Sequence, residues 1–351
     1  MLNSLKTYFR LLAEDREMGL SSKILRPTAY AASFVYGSFV RTLRIFYEKG
    51  ILRRKRLPFP VISVGNLTWG GTGKTPLVEY LARKVSELHK TPLILTRGYS
   101  HDEIEQLRHY LPRAIIGVGK NRRRVAEEHI RKKERIDVGI LDDGFQHWPI
   151  ERDIEIVAVN VLNPFGNGHL IPRGILREPV STLRKASIIV LTHVNLVKPE
   201  EIKSLKEKIA GINPNAFLVE SYLEPLFLYR ADRRKRVSIG RLQHHRVATF
   251  AGVGTPRSFQ LLLSRCQIRP TRNFEFADHH VYKDSELEEI KRISHSASVD
   301  EIITTEKDFY RSPDAITRIL NPLVLATRLR ILSGEEILTD RLFLLMGVKR
   351  L

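Results

Sequence analysis

From residue 58 onward, short unbroken apolar runs alternate with longer segments whose apolar residues recur every three to four positions. Unbroken runs mark strands buried on both faces, and the three-to-four spacing marks helices. The runs "FPVISVG" (59–65), "TPLILTRGY" (91–99), "RAIIGVG" (113–119), "DVGILDDG" (137–144), "DIEIVAVN" (153–160) and "ASIIVLTHV" (186–194) predict strands. Between them, "TPLVEYLARKVSELHK" (75–90), "EIEQLRHYL" (103–111) and "NRRRVAEEHIRKKE" (121–134) predict helices. Such alternation implies a mostly parallel sheet with helices on both faces.

Near residue 216 the pattern becomes extended and suggests a linking hairpin, after which a second α/β unit begins at "HRVATFAGVG" (245–254). The expected domains are an N-terminal helical segment at 1–57, a core at 58–240 and a smaller C-terminal α/β domain at 241–351. Before the core, "PTAYAASFVYGSFV" (27–40) is too short to span a bilayer. Its aromatic residues and the following "RRKR" (53–56) suit either a helix in a membrane interface or one packed on the protein's own core. Glu14, Asp15 and Glu17 argue against a cleaved transit peptide.

Charge narrows the partners. Lys and Arg number 58 against 39 Asp and Glu, a net +19, which favours nucleic acid, an anionic membrane or a phosphorylated substrate. Nucleic-acid binding needs aromatic residues interleaved with basic ones, whereas here they cluster near residues 30–47, so no nucleic acid is expected. Cys266 is the sole cysteine, which excludes an intrachain disulfide and a cysteine metal cluster.

The candidate chemistry starts at "SVGNLTWGGTGKTPLVEY" (63–80). A strand, then Gly70, Gly71, Thr72, Gly73, Lys74 and Thr75, then a helix, is the setting of a phosphate-binding P-loop. Backbone N–H groups would cradle phosphate oxygens, Lys74 would neutralise them, and Thr75 would place its hydroxyl on Mg²⁺. Thr68 stands where the strict motif has its first glycine. Asp142 and Asp143 close a strand, as metal-holding carboxylates do in nucleotide enzymes; Asp-Asp-Gly is equally good turn chemistry. The fold class is therefore α/β of P-loop NTPase type.

The segments "VGNLTWGGTGKTP", "LTRGY", "LDDGFQHWPIERDIEIV", "NPFGNGHLIPRGILREP", "ADHH" and "TTEKD" occur in order between about residues 20 and 310. Together they resemble the tetraacyldisaccharide 4'-kinases, the lipid A 4'-kinase family. The resemblance implies transfer of the ATP γ-phosphate to the 4'-hydroxyl of a tetraacylated disaccharide 1-phosphate, with ATP and Mg²⁺ as cofactors. It also implies peripheral attachment to a membrane through residues 27–48. In "RGYSHDEIEQL", His101 replaces a glycine, Ile104 replaces a proline, and an insert usual in bacteria is almost missing, as in the plant branch. A plant member is expected in mitochondria and a bacterial one on the cytoplasmic face of the inner membrane.

By the same resemblance Asp102 is the candidate base and His279 its partner, with His280 the alternative. Read without it, Asp102 caps a helix. Glu178 joins Thr75, Asp142 and Asp143 as a candidate metal ligand. Arg177 is a candidate phosphate clamp, Gln146 and His147 line the cleft, and Arg97 ends its strand where phosphate groups collect. "TTEKD" (304–308) either contacts nucleotide or starts a helix. The expected partners are the lipid disaccharide and a membrane surface, and the chain is expected to be a monomer. A P-loop GTPase or metallochaperone is the competing reading; it calls for an N-K-x-D base-reading segment, and "THVN" (192–195) lacks the lysine.

Overall fold

A computed structural model describes residues 20–98, 101–232 and 235–348. The elements run α1 (Leu20–Glu48), β1 (Val61–Gly65), α2 (Lys74–Glu87), β2 (Pro92–Thr96), α3 (His101–Tyr110), β3 (Ile115–Val118), α4 (Arg122–Arg131), β4 (Val138–Asp142) and β5 (Ile154–Asn160). Next come β6 (Ile188–Thr192), α5 (Pro199–Ile212), β7 (Phe217–Arg230), β8 (Arg236–Val237), β9 (Val247–Ala251), α6 (Pro256–Arg265) and β10 (Arg272–Glu275). The last are α7 (Asp284–Ser296), β11 (Glu301–Thr305), α8 (Glu306–Arg311), α9 (Pro313–Ile319), β12 (Leu323–Ser333) and α10 (Glu335–Leu345).

The chain divides into two compact units. The first comprises the residues up to 98, 111–222 and those from 331 on; the second comprises 99–110 and 223–330. The division falls near 222 rather than 240 because β7 is a single strand of 14 residues that serves both units. The expected hairpin is present, with Leu228 opposite Val237 in an antiparallel pairing.

In the first unit the strand order is β3-β2-β4-β1-β5-β6-β7, with parallel pairing from each strand to the next. All five residues of β1, β2, β4 and β6 are buried, as unbroken apolar runs require. Helix α2 lays Leu77, Val78, Leu81, Ala82 and Val85 on the sheet. Each large apolar side chain buried in this way contributes roughly 1.5–3 kcal/mol. Helix α10 belongs to this unit: Tyr80 donates to Glu335, and Lys84 Nζ lies 3.1 Å from it.

Helix α1 also packs on the first unit, along one stripe. Ser33 Oγ donates to Leu170 O at 2.8 Å and accepts from Arg173 N at 2.9 Å, and Tyr36 OH donates to Arg177 O at 3.0 Å. A Cβ on Gly37 would sit 2.6 Å from Leu170 Cδ1, so glycine permits this approach. The opposite stripe is exposed: Phe34, Val35 and Phe39 are 73%, 68% and 65% exposed, and Tyr30, edge-on to His169 at 5.5 Å, is 59% exposed. The helix thus packs on the first unit along one face and exposes apolar and aromatic side chains on the other. Among the described residues, no helix is long and apolar enough to cross a membrane.

The second unit holds β10-β9-β11-β12 in parallel pairings, with the second half of β7 beside β12. Its core includes Tyr229, Phe250, Tyr282, Ile290, Phe309 and Ile316.

Candidate active site

One candidate cluster sits at the carboxyl ends of β1, β4, β5 and β6, where open α/β sheets bind ligands. Leu67 to Trp69 run extended against residues 175–177: Trp69 N donates to Ile175 O and Arg177 N to Leu67 O, both at 2.7 Å. Thr68 bridges Leu176 in the same ribbon, so its position needs no glycine. The turn itself needs two. Gly70 has φ 111° and Gly73 φ 79°, in the left-handed region that side chains avoid. Gly73 also lies where a Cβ would stand 3.2 Å from Thr192 Cγ2. Strand ends pin the loop: Asn160 Nδ2 donates to Gly71 O at 3.1 Å, and Thr192 Oγ1 to Thr72 O at 3.0 Å.

The two adjacent carboxylates part company, as neighbours at a strand end must. Asp142 accepts from Thr96 Oγ1 at 3.2 Å. Asp143 turns the other way at φ 52°. Its Oδ2 accepts from Arg177 Nη1 at 2.8 Å, and its Oδ1 lies 3.6 Å from Lys74 Nζ. Burial opposes the charge on Asp143, but Lys74, Arg177 and Arg122 outweigh it and hold the carboxyl well below its usual range. Arg177 also donates to Gln146 Oε1 and Asn66 Oδ1, each at 3.1 Å. Asn66 in turn donates to Thr72 Oγ1 at 2.8 Å. The arginine thereby ties the acidic turn to the phosphate loop.

Glu178 is 1% exposed, and burial pushes its carboxyl up to about 7 against the pull of Arg44 and Lys185. Glu178 Oε1 and Asp143 Oδ1 are buried oxygens with no hydrogen-bond donor. Asp143 Oδ1, facing Lys74 of the glycine loop, fits a hydrated divalent cation carried on phosphate oxygens, whereas Glu178 sits among Arg44, Lys185 and Gln146. Among the described residues, no group of three or more His, Cys, Asp or Glu is placed to hold a metal ion. His147 is pushed down to about 4 by burial and by Arg122, Arg152 and Arg97.

A second candidate cluster lies in the second unit. Asp102 is in the first turn of α3, 3% exposed, and its Oδ2 accepts from Arg311 Nε at 2.7 Å. Arg311 also donates to Asp308 Oδ1 at 2.9 Å and Gly252 O at 2.6 Å, and approaches Asp278 Oδ1 at 3.7 Å. Asp278 Oδ2 stands 3.8 Å from His279 Nε2. Asp102 and His279 are thus joined through Arg311 and Asp278. Burial and Lys307 lower the His279 pKa against the pull of Asp278 and Glu103. His280 is occupied otherwise, 2.8 Å from Glu286 Oε2 and stacked on Phe276 at 4.8 Å.

The "TTEKD" segment starts a helix. Thr305 caps α8, accepting from Asp308 N at 3.1 Å. It also builds the cluster: Lys307 Nζ lies 3.1 Å from Glu103 and 3.4 Å from Asp278.

A family profile described as "Tetraacyldisaccharide-1-P 4'-kinase" matches residues 25–108 and 101–343. The chain belongs to this family. A probable mitochondrial tetraacyldisaccharide 4'-kinase of Arabidopsis thaliana is 34% identical over 342 residues, covering 88% of this chain and 87% of the relative. The tetraacyldisaccharide 4'-kinase of Halothermothrix orenii is 30% identical, covering 92% of each. The crystal structure of LpxK from Aquifex aeolicus in complex with ATP superposes with TM-score 0.68 at 26% identity, covering 92% of this chain and 99% of that one.

Within this member of the family, the loop residues, Asp143, Gln146 and Arg177 gather as the spacing of the motifs suggests. Asn66, Arg122 and Arg311 have no such signal in the sequence. Asn66 stands one residue past β1 in a stretch read for its glycines, and Arg311 follows "TTEKD" by three residues, one helical turn from Asp308.

Proposed function

We infer that this chain transfers the γ-phosphate of ATP to the 4'-hydroxyl of tetraacyldisaccharide 1-phosphate in lipid A assembly. The observation that carries the reading is the Gly70–Thr75 cradle with Lys74 facing Asp143, in a chain that matches kinases of this family over nearly its whole length. Bound Mg²⁺ would shield charge on the phosphates as it moves. Thr75, Asp142, Asp143 and Glu178 are the groups proposed to hold it, directly or through water.

Lys74 and the turn's backbone N–H groups hold the triphosphate and orient its terminal phosphorus. A sugar hydroxyl is a poor nucleophile while it keeps its proton. Asp102 is proposed to accept that proton as the new O–P bond forms and the bond to the departing ADP breaks. Arg311 fixes the aspartate's orientation. His279, kept neutral by its surroundings, is proposed to act on the same network through Asp278.

The exposed aromatic stripe of α1 is proposed to lie in the membrane interface, which brings the enzyme to a lipid acceptor as a monomer attached peripherally. The test is ³²P transfer from ATP to tetraacyldisaccharide 1-phosphate in detergent micelles, with Lys74→Ala beside wild type. Transfer that depends on both the lipid and Lys74 supports the reading. Nucleotide hydrolysis indifferent to the lipid would favour a P-loop hydrolase instead.

A further inference from the structure

A second concave anion-seeking surface lies on the first unit, outside the phosphate loop. It is a groove of about 750 Å³ between residues 55–58 and α4. Lys55, Arg56, Arg123, Arg124 and Arg131 line it, against one acid, Glu127. Leu57 and Ile130 give it an apolar floor continuous with the core.

The ion pairs there lie at the surface. Arg123 lies 3.8 Å from Glu127, Arg124 3.5 Å from Glu128, and Arg56 3.3 Å from Glu151 and Asp153. Exposed pairs of this kind contribute little and exchange readily for another anion. Lys55 and Arg131 add two further cations to the groove wall. Five cations around one concavity repel each other, and a phosphate group would relieve that repulsion.

The wall of the groove continues from α1. Leu52 N donates to Phe46 O at 3.0 Å, and Lys55 N to Pro149 O at 2.8 Å. Next to Pro149, Trp148 packs on Tyr47 with ring centroids 6.0 Å apart. The helix that exposes Phe34 and Phe39 therefore runs directly into the basic rim. Lysines and arginines immediately after an amphipathic helix are the arrangement that anionic lipid headgroups favour.

We propose that this groove holds the phosphate headgroups of anionic phospholipids at the bilayer surface. The proposal rests on the membrane reading of α1, and it adds a headgroup site on α4. None of the groove residues belongs to the phosphoryl-transfer machinery; Arg122, which donates to Asp143 O, points elsewhere.

The experiment is sedimentation of the full chain with vesicles of phosphatidylcholine alone, and with phosphatidylglycerol added. Wild type is compared with Arg123→Glu/Arg124→Glu/Arg131→Glu and with Phe34→Ser/Phe39→Ser. The groove variant should lose binding to the mixed vesicles by at least about 100-fold, from roughly fivefold per basic residue. It should keep its weak binding to neutral vesicles and its phosphate transfer in micelles. If it melts below wild type, the single variants Lys55→Glu and Arg131→Glu carry the test, each with about a fivefold loss. Undiminished binding of the groove variants to mixed vesicles would overturn the proposal. So would release of wild type from vesicles by inorganic phosphate at matched phosphate concentration, which would mark a site for a free anion. Loss of duplex DNA binding with vesicle binding intact would reassign the groove to nucleic acid. Failure of only the α1 variant to lose binding would instead remove the reading of that helix.

Discussion

Arg311 Nε donates to Asp102 Oδ2 at 2.7 Å, and both side chains are 3% exposed. The same guanidinium serves Asp308, so two carboxylates depend on one cation inside the second unit. Removing one partner of a buried ion pair strands the other and costs about 3–5 kcal/mol. Arg311→Ala should therefore lower the melting temperature sharply, and Arg311→Lys should recover only part of it. A calorimetric scan decides; an unchanged melt would mean the cluster is solvated.

Asp102→Asn keeps size and loses basicity. Phosphate transfer should fall about 10²- to 10⁴-fold, the usual worth of a general base, while ATP affinity stays the same. Radiolabel transfer and ATP titration of the same sample separate the two effects. Wild-type turnover in this variant would remove Asp102 as the base.

Lys74→Ala should weaken ATP binding by about 1.5–3 kcal/mol, the range for a hydrogen bond to a charged group. It would also leave Asp143 with Arg177 and Arg122 as its remaining cations, so the fold should persist. Isothermal titration with ATP measures the first effect and circular dichroism the second.

Gly73 and Gly168, both with φ 79°, offer a controlled comparison. Alanine at either costs roughly 1–2 kcal/mol of backbone strain. Only at Gly73 does the new Cβ meet Thr192, which holds Thr72 O; at Gly168 nothing lies within 4 Å. Gly73→Ala should lose ATP binding and Gly168→Ala should retain it, as read by titration with ATP.

His193 is pushed down to about 4 by burial. The unfolded chain then binds its proton near the ordinary histidine value of about 6.5, while the folded chain does not. Stability from this group is complete above that value and is lost as pH falls toward 4. His193 has φ 64°, a conformation asparagine tolerates, so His193→Asn is the suitable comparison. Between pH 7 and 5, wild type should lose about 2 kcal/mol more than the variant in urea unfolding. Parallel pH profiles would show that the imidazole is hydrated.

The sheet was legible because β1, β2, β4, β5 and β6 are buried on both faces and therefore read as unbroken apolar runs. The short edge strand β10 is mostly exposed, and Arg272 and Asn273 give it no apolar signature. Helix α3 reads correctly as a helix, but nothing in "HDEIEQLRHY" states which core it covers. It packs with α8 in the second unit, where Tyr110 donates to Glu306. The phosphate loop announces itself because glycine geometry restricts composition. Arg311 does not, since an arginine's partners are set by tertiary structure alone. The family motif singles out Asp102 as the proposed base, and its ion pair with Arg311 has no sequence signature.

Because the first unit draws on residues 331–345 as well as on the segments before 222, neither of these stretches alone makes up that unit. A nascent chain halted short of Glu335 would lack the carboxylate that receives Tyr80, and its ATP cradle would emerge from the ribosome long before its own scaffold could close. Fusing a tag or label beyond α10 therefore touches the nucleotide-binding unit itself, and a protease that clips the final helix should unsettle the phosphate loop rather than trim a spare tail.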